Sequence, residues 1–161
     1  MTDGNRYEQM GIPGLIRGAR LAYGTAVRQA FLDAGFDDIP RNGAFVLARV
    51  YAGSSESAAL TRALAISKQA VSQLIDTMVM RGYLERTPDP DDRRRMVLSL
   101  TPRGEEAATV SWQAATAVDD ELTRRLTPDG VAALRAGLIA LYEIAEEADA
   151  AVNQTGPASS E

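Results

Sequence analysis

The sequence predicts a mainly α-helical fold with a small β component, and three observations support this prediction. Apolar residues recur at intervals of three and four along both ends of the chain, which is the period of an amphipathic helix. Near the middle, two short segments of strand character enclose a turn rich in Pro and Asp. The 161 residues, 45% hydrophobic and 24% charged, suffice for one domain with an attached helical arm.

Residues 1–35 are predicted to contain one long helix after a polar start. Small and apolar residues recur on one face from Ile12 to Ala34, and Gly35 is a typical helix end. An apolar stripe of this length on a small protein requires a partner helix. The segment 36–101 then begins with a second predicted helix, which follows Pro40 and ends at Gly53.

A helix-turn-helix is predicted next. Residues 57–64 form a short helix, Ala65 and Ile66 make a tight connection, and Ser67 is a favoured N-cap for a helix that runs to about Arg81. The apolar residues of this second helix fall on one face and are predicted to be buried. They are Val71, Leu74, Ile75, Met78 and Val79.

A β-hairpin is predicted at about residues 84–100, with strand character from Tyr83 to Thr87 and from Arg95 to Thr101. In the second strand, Met96, Leu98 and Leu100 alternate with Val97 and Ser99. Two helices are predicted in residues 102–149, each opened by a Leu-Thr-Pro sequence in which Thr caps and Pro occupies the first turn. Residues 150–161 are small and polar and are predicted to be a disordered tail.

Helix, turn, helix and hairpin in this order predict a winged helix-turn-helix. The second helix of such a unit enters the major groove of DNA and presents polar residues to base edges. Glutamine side chains can pair with adenine and lysine side chains with guanine. The alternative is an ordinary amphipathic helix with a solvated polar face, which is the more common role of such a helix in isolation. The predicted DNA-binding residues of this helix are Ser67, Lys68, Gln69, Ser72, Gln73 and Thr77, with Asp76 on the same face.

The charged turn of the hairpin is the second predicted DNA contact. Arg93, Arg94 and Arg95 at a wing tip can enter the minor groove, and Asp92 is placed to brace a neighbouring arginine. Residues 57–103 carry eight basic and five acidic side chains, a net charge of +3, whereas the remainder of the chain carries −8. A basic central segment in an otherwise acidic chain is typical of a protein that contacts nucleic-acid phosphates through one region only.

The composition excludes most other functions. The chain has no Cys and no His, so disulfides, thiol redox sensing, imidazole catalysis and nearly all zinc sites are excluded, and no cofactor or metal is expected. No phosphate-binding Gly loop or nucleophile elbow indicates an enzyme. The polar N-terminus and the lack of a long apolar run predict a cytoplasmic protein.

Four segments together resemble the multiple antibiotic resistance regulator (MarR) family: residues 66–74, 81–86, 89–94 and 98–104. The family's wing signature, Asp-x-Arg followed after five residues by Leu-Thr-x-x-Gly, is matched in register by Asp92, Arg94, Leu100, Thr101 and Gly104. The resemblance implies an obligate homodimer with the N-terminal helix and the two C-terminal helices at its interface. It also implies pseudo-palindromic operators, usually repression, and release by a small organic ligand, with half-sites about one helical turn apart.

Two branches of the family do not fit, because oxidation sensing needs a cysteine and metal sensing relies largely on His and Cys. Any signal is therefore expected to be a small organic molecule or another mode such as partner binding. For an organic ligand, the family resemblance implies aromatic or phenolic acids. Ordinary core packing is the alternative role for the candidate ligand residues, and a winged-helix module that binds only proteins is the alternative function. The candidate ligand residues are Tyr23, Phe45, Arg49, Tyr51 and Trp112.

Overall fold

The computed structural model describes residues 7–53, 57–89 and 96–154 of the protein. The described residues form six helices and two strands in the predicted order. They are α1 (Ile12–Asp33), α2 (Gly43–Tyr51), α3 (Ser57–Leu64), α4 (Lys68–Met80), β1 (Leu84–Pro88), β2 (Met96–Leu100), α5 (Pro102–Arg125) and α6 (Pro128–Gln154). The end of α6 corrects the predicted start of the tail at Ala150, because the helix continues to Gln154. Residues 155–161 lie outside the described part of the chain.

Three helices begin at side-chain caps that the sequence predicts. The Ser67 hydroxyl oxygen accepts a hydrogen bond from the backbone N–H of Ala70 at 3.1 Å, at the start of α4. Thr101 Oγ1 accepts from Gly104 N at 3.0 Å, and Thr127 Oγ1 accepts from Gly130 N at 3.1 Å. Each cap satisfies a backbone donor that has no partner within the helix, which fixes where α4, α5 and α6 start.

The chain divides into two compact units, the first ending at Val118 and the second beginning at Asp119. The core of the first unit is one apolar cluster built around α2, α4 and the hairpin. The buried hydrophobic residues are Phe31, Val46, Leu47, Val50, Leu60, Val71, Leu74, Ile75, Met78, Tyr83, Leu84, Leu98, Ala107 and Ala108. Four of the five predicted core residues of α4 are in this cluster, and Val79 packs against it.

The hairpin is antiparallel, with Leu84 opposite Leu100 and Pro88 opposite Met96. The predicted alternation along β2 holds only in part. Leu98 is buried and Leu100 is half-buried, but Met96 is 54% exposed. Met96 is therefore too far along the hairpin to reach the core, although the pattern places it on the same face as Leu98.

The apolar stripes of α1 and α6 are largely uncovered in a single copy of the chain. Phe31 is the one buried residue of α1, and α6 has none among its described side chains. Large apolar residues stand exposed on both helices: Ile12, Leu15, Leu134, Leu138, Leu141 and Ile144. Within the described residues, no helix is long and apolar enough to cross a membrane.

Candidate nucleic-acid interface

The turn between α3 and α4 brings the two helices into a helix-turn-helix. Ala65 adopts a left-handed backbone conformation with φ 51°, which reverses the chain directly after α3. Ser67 is extended, with φ −63° and ψ 152°, and caps α4. The turn is thus as short as predicted, and it requires a conformation that a non-glycine residue seldom adopts.

The polar face of α4 lies opposite its buried face and is open to solvent. Its first turns carry predicted DNA-binding residues that are all exposed: Ser67, Lys68, Gln69, Ser72 and Gln73. Thr77 differs because it is half-buried and its hydroxyl donates to the backbone carbonyl of Gln73 at 2.8 Å. Lys68 makes no ion pair with any residue that the structure describes. The N-terminal half of the helix therefore offers hydroxyl, amide and ammonium groups to a ligand.

One acid on this face is already paired. Arg86 Nη2 donates to Asp76 Oδ1 at 2.5 Å, and the two side chains are 43% and 52% exposed. The pair joins β1 to α4, so the first wing strand is tied to the predicted recognition helix. No spacing in the sequence indicates this role of Arg86, since its partner lies on a different element.

A polar cluster, here called the clasp, lies where α4, β1 and α5 meet and consists of Asp38, Tyr83 and Arg103. The Tyr83 hydroxyl donates to Asp38 Oδ1, and Arg103 Nη2 donates to both Asp38 Oδ1 and the Tyr83 hydroxyl oxygen, each at 3.0 Å. The Arg103 guanidinium also stacks 4.6 Å from the centre of the Tyr83 ring. Arg81, at the end of α4, donates to the backbone carbonyl of Asp38.

The clasp changes the acidity of two of its members. The hydrogen bond from Tyr83 and the charge of Arg103 lower the pKa of Asp38 below its ordinary value of 3.8, against an opposing effect of burial. Burial, together with the hydrogen bond to Asp38, raises the pKa of Tyr83 to about 12. Asp38 is therefore a carboxylate and Tyr83 a neutral phenol at pH 7.

Backbone contacts reinforce the same junction. Thr101 Oγ1 donates to the carbonyl of Gly82 at 2.5 Å, and Thr101 N donates to the carbonyl of Tyr83 at 3.2 Å. A Cβ placed on Gly104 would lie 2.0 Å from the Tyr83 carbonyl oxygen, so the first turn of α5 touches the chain directly after α4. The Thr-x-x-Gly spacing of the wing signature was the sequence signal for this contact, and the clasp itself carried none.

The predicted wing-tip contacts lie outside the described residues. Asp92, Arg93, Arg94 and Arg95 fall in residues 90–95, which lie outside the described part of the chain. The described strands on either side of these residues end at Pro88 and begin at Met96.

The five candidate ligand residues all belong to the first unit, and none is in its core. Tyr23 is half-buried on α1, Phe45 is 38% exposed, and Tyr51 and Trp112 are 67% and 66% exposed. Core packing therefore does not account for these aromatic residues within one copy. Arg49 lies one turn after Phe45 on α2, and its buried Nε has no hydrogen-bond partner. An unpaired guanidinium donor of this kind suits a carboxylate.

Among the described residues, no group of three or more Asp or Glu side chains is arranged to hold a metal ion.

A family model for the MarR family matches residues 38–95. The multiple antibiotic resistance protein MarR of Salmonella typhimurium is 32% identical over 84 residues, which cover 52% of this chain and 58% of that protein. The transcriptional regulator HosA of Escherichia coli is 32% identical over 72 residues, which cover 45% of this chain and 53% of that protein. The chain thus spans little more than half the length of the curated relatives it matches.

Solved structures extend the similarity to most of the chain. The reduced form of MarR from E. coli aligns with a TM-score of 0.62 and 25% identity over 82% of this chain and 96% of that chain. A cysteine-to-serine variant of E. coli MarR in complex with operator DNA aligns with a TM-score of 0.64 and 24% identity over 84% and 96%. Residues 38–95 of the chain thus match the MarR family model, and the chain shares the fold of the solved MarR structures.

Proposed function

We propose that the protein is a homodimeric, sequence-specific DNA-binding transcriptional regulator, and not an enzyme, that acts as a repressor in the cytoplasm and is released by a small organic ligand. The proposal rests mainly on the exposed polar face of α4. This helix follows a tight turn after α3 and is joined to the hairpin by an ion pair. The relative solved in complex with operator DNA has the same fold, which supports this use of the helix.

In the proposed complex, α4 lies in the major groove. Gln69 and Lys68 in its first turn are placed to contact adenine and guanine edges, and Ser72 is placed to contact a base or phosphate. Arg94 at the wing tip reaches the minor groove, where Asp92 orients it.

The uncovered stripes of α1 and α6 support the homodimer. Exposed leucine and isoleucine residues on both helices would be buried against a second copy, and each copy would supply one recognition helix. A two-fold dimer requires a pseudo-palindromic operator, with half-sites about one helical turn apart.

Salt dependence of DNA binding tests the proposal. The wild-type protein should bind random duplex DNA more weakly at moderate than at low salt, because phosphate contacts release counterions. Arg94→Ala should weaken binding by about 1–3 kcal/mol, with Arg135→Ala on α6 as a matched loss of one charge. Absence of DNA binding at both salt concentrations would contradict the proposal and favour a winged-helix module that binds only proteins.

Arg49 supports an aromatic carboxylate as the effector. Its buried, unpaired Nε would donate to the carboxylate, while aromatic side chains such as Phe45 contact the ring. Benzoate should raise the thermal unfolding midpoint and weaken operator binding of the wild type, but not of Arg49→Gln. Phenol is the matched neutral probe, and an equal response to phenol and benzoate would contradict a role for Arg49.

A further inference from the structure

We infer that the clasp formed by Asp38, Tyr83 and Arg103 is a positioning device for DNA reading. It holds the direction of α4 and the wing against the first turn of α5, so that sequence discrimination depends on residues that do not touch DNA. This inference rests on the proposed DNA-binding function and names residues that the function itself does not assign.

The clasp joins three parts of the chain that are distant in sequence. Tyr83 stands 45 residues from Asp38, and Arg103 stands 65 residues from Asp38. Tyr83 lies three residues after the last residue of α4, and its backbone N–H donates to the carbonyl of Met78 in the last turn of that helix at 2.9 Å. Arg103 is in the first turn of α5, and Asp38 precedes α2. One cluster therefore fixes the end of α4 against two other elements.

The arrangement leaves little freedom for movement. Tyr83 is fully buried, so its ring cannot shift without disturbing the core. The close approach of Gly104 to the Tyr83 backbone blocks movement toward α5. Asp38 and Arg103 are each about half as exposed as a free side chain or less, and their opposite charges neutralise one another within the cluster.

Such rigidity matters for base contacts more than for phosphate contacts. Base recognition requires groups held to within about 0.5 Å of their productive positions. Non-specific binding depends on the number of phosphates neutralised and tolerates displacement. If α4 samples several directions, the apparent operator affinity falls in proportion to the competent fraction, whereas binding to random DNA is retained.

Tyr83→Phe is the most direct variant, because it removes one hydroxyl and leaves the charge and the ring in place. The measured quantity is the ratio of two affinities, one for an operator that the wild type selects from a random pool and one for a random duplex. This ratio should fall about tenfold if the fraction of protein with α4 in the competent direction drops to a tenth. The slope of log affinity against log salt should not change, because no cationic residue is lost. Tyr142→Phe, at an exposed tyrosine on α6, is the matched control and should preserve the ratio.

Arg103→Lys is the second variant, since it keeps the positive charge but cannot bridge Asp38 and Tyr83 as a planar guanidinium does. This variant should also lower the ratio of operator affinity to random-duplex affinity, while the net charge of the protein stays the same. A lower thermal midpoint with an unchanged ratio in both variants would overturn the inference and leave the clasp a purely structural role. A wild-type protein that prefers no DNA sequence would instead refute the proposed function on which the inference rests.

Discussion

Arg86 on β1 donates a hydrogen bond to Asp76 on α4 at 2.5 Å, and this ion pair joins the first strand of the hairpin to the proposed recognition helix. Asp76 lies on the face that is proposed to meet DNA, where an unpaired carboxylate would repel phosphates. Pairing with Arg86 offsets that repulsion and fixes β1 of the hairpin to α4, so the two elements proposed to contact DNA are joined.

The pair is predicted to contribute little to folding and more to charge balance. Both side chains are more than a third exposed, so a double-mutant cycle of Asp76→Asn and Arg86→Gln in urea unfolding should give a coupling of about 0.2–1 kcal/mol. Asp76→Asn alone frees Arg86 for a phosphate, which should strengthen binding to random DNA and steepen the salt dependence by about one unit. Weaker binding to random DNA would contradict this assignment.

Gly104→Ala is predicted to destabilise the protein strongly. The new Cβ would overlap the backbone carbonyl of Tyr83, and backbone cannot move aside as a flexible side chain can. The free energy of unfolding in urea should fall by about 3 kcal/mol or more. Gly18→Ala, on α1 with open space around its Cβ, is the matched control and should be neutral or raise stability by about 0.5–1 kcal/mol. Equal effects at the two positions would show that the contact is absent.

Acid is predicted to remove the stabilising effect of Asp38. Because the folded pKa of Asp38 is lowered, the carboxylate stabilises the fold above its unfolded pKa, and this effect is lost as the pH falls through the folded value. Asp38→Asn should therefore be less stable than the wild type at pH 7, and the difference should shrink at pH values below its ordinary pKa of 3.8. The measurement is urea unfolding as a function of pH.

Asp37→Asn makes the same change in net charge one residue away and controls for long-range electrostatics. A difference between wild type and Asp38→Asn that stays constant on acidification would contradict the hydrogen-bonded carboxylate.

Local signals in the sequence predicted much of the fold. Ser67, Thr101 and Thr127 were identified as caps because their chemistry acts over three residues, and each starts its helix as expected. The exposed face of α4 followed from periodicity for the same reason. Contacts between distant segments were not predictable, since the partners of Tyr83 lie 20 and 45 residues away and no single pattern joins them.

The end of α6 and the exposure of Met96 show a second limit. Ala-rich and polar sequence after Ala150 fits both a fraying helix and a tail, so composition alone did not place the helix end. Met96 fits the apolar alternation of β2 but lies too far along the hairpin to reach the core. Its burial depends on the length of the hairpin and not on the apolar pattern. An apolar period in the sequence therefore predicts which residues share a face of an element, and does not predict whether that face is buried.

The exposed face of α4 is proposed to read DNA sequence in a two-fold dimer. Selection from a random pool of duplexes by the wild-type protein and by Gln69→Ala, followed by sequencing, tests this claim directly. The wild type should enrich a pseudo-palindrome with half-sites about one helical turn apart, and Gln69→Ala should lose preference at the same position of each half-site. Enrichment of no sequence by the wild type, or an identical motif from Gln69→Ala with no position relaxed, would contradict the claim.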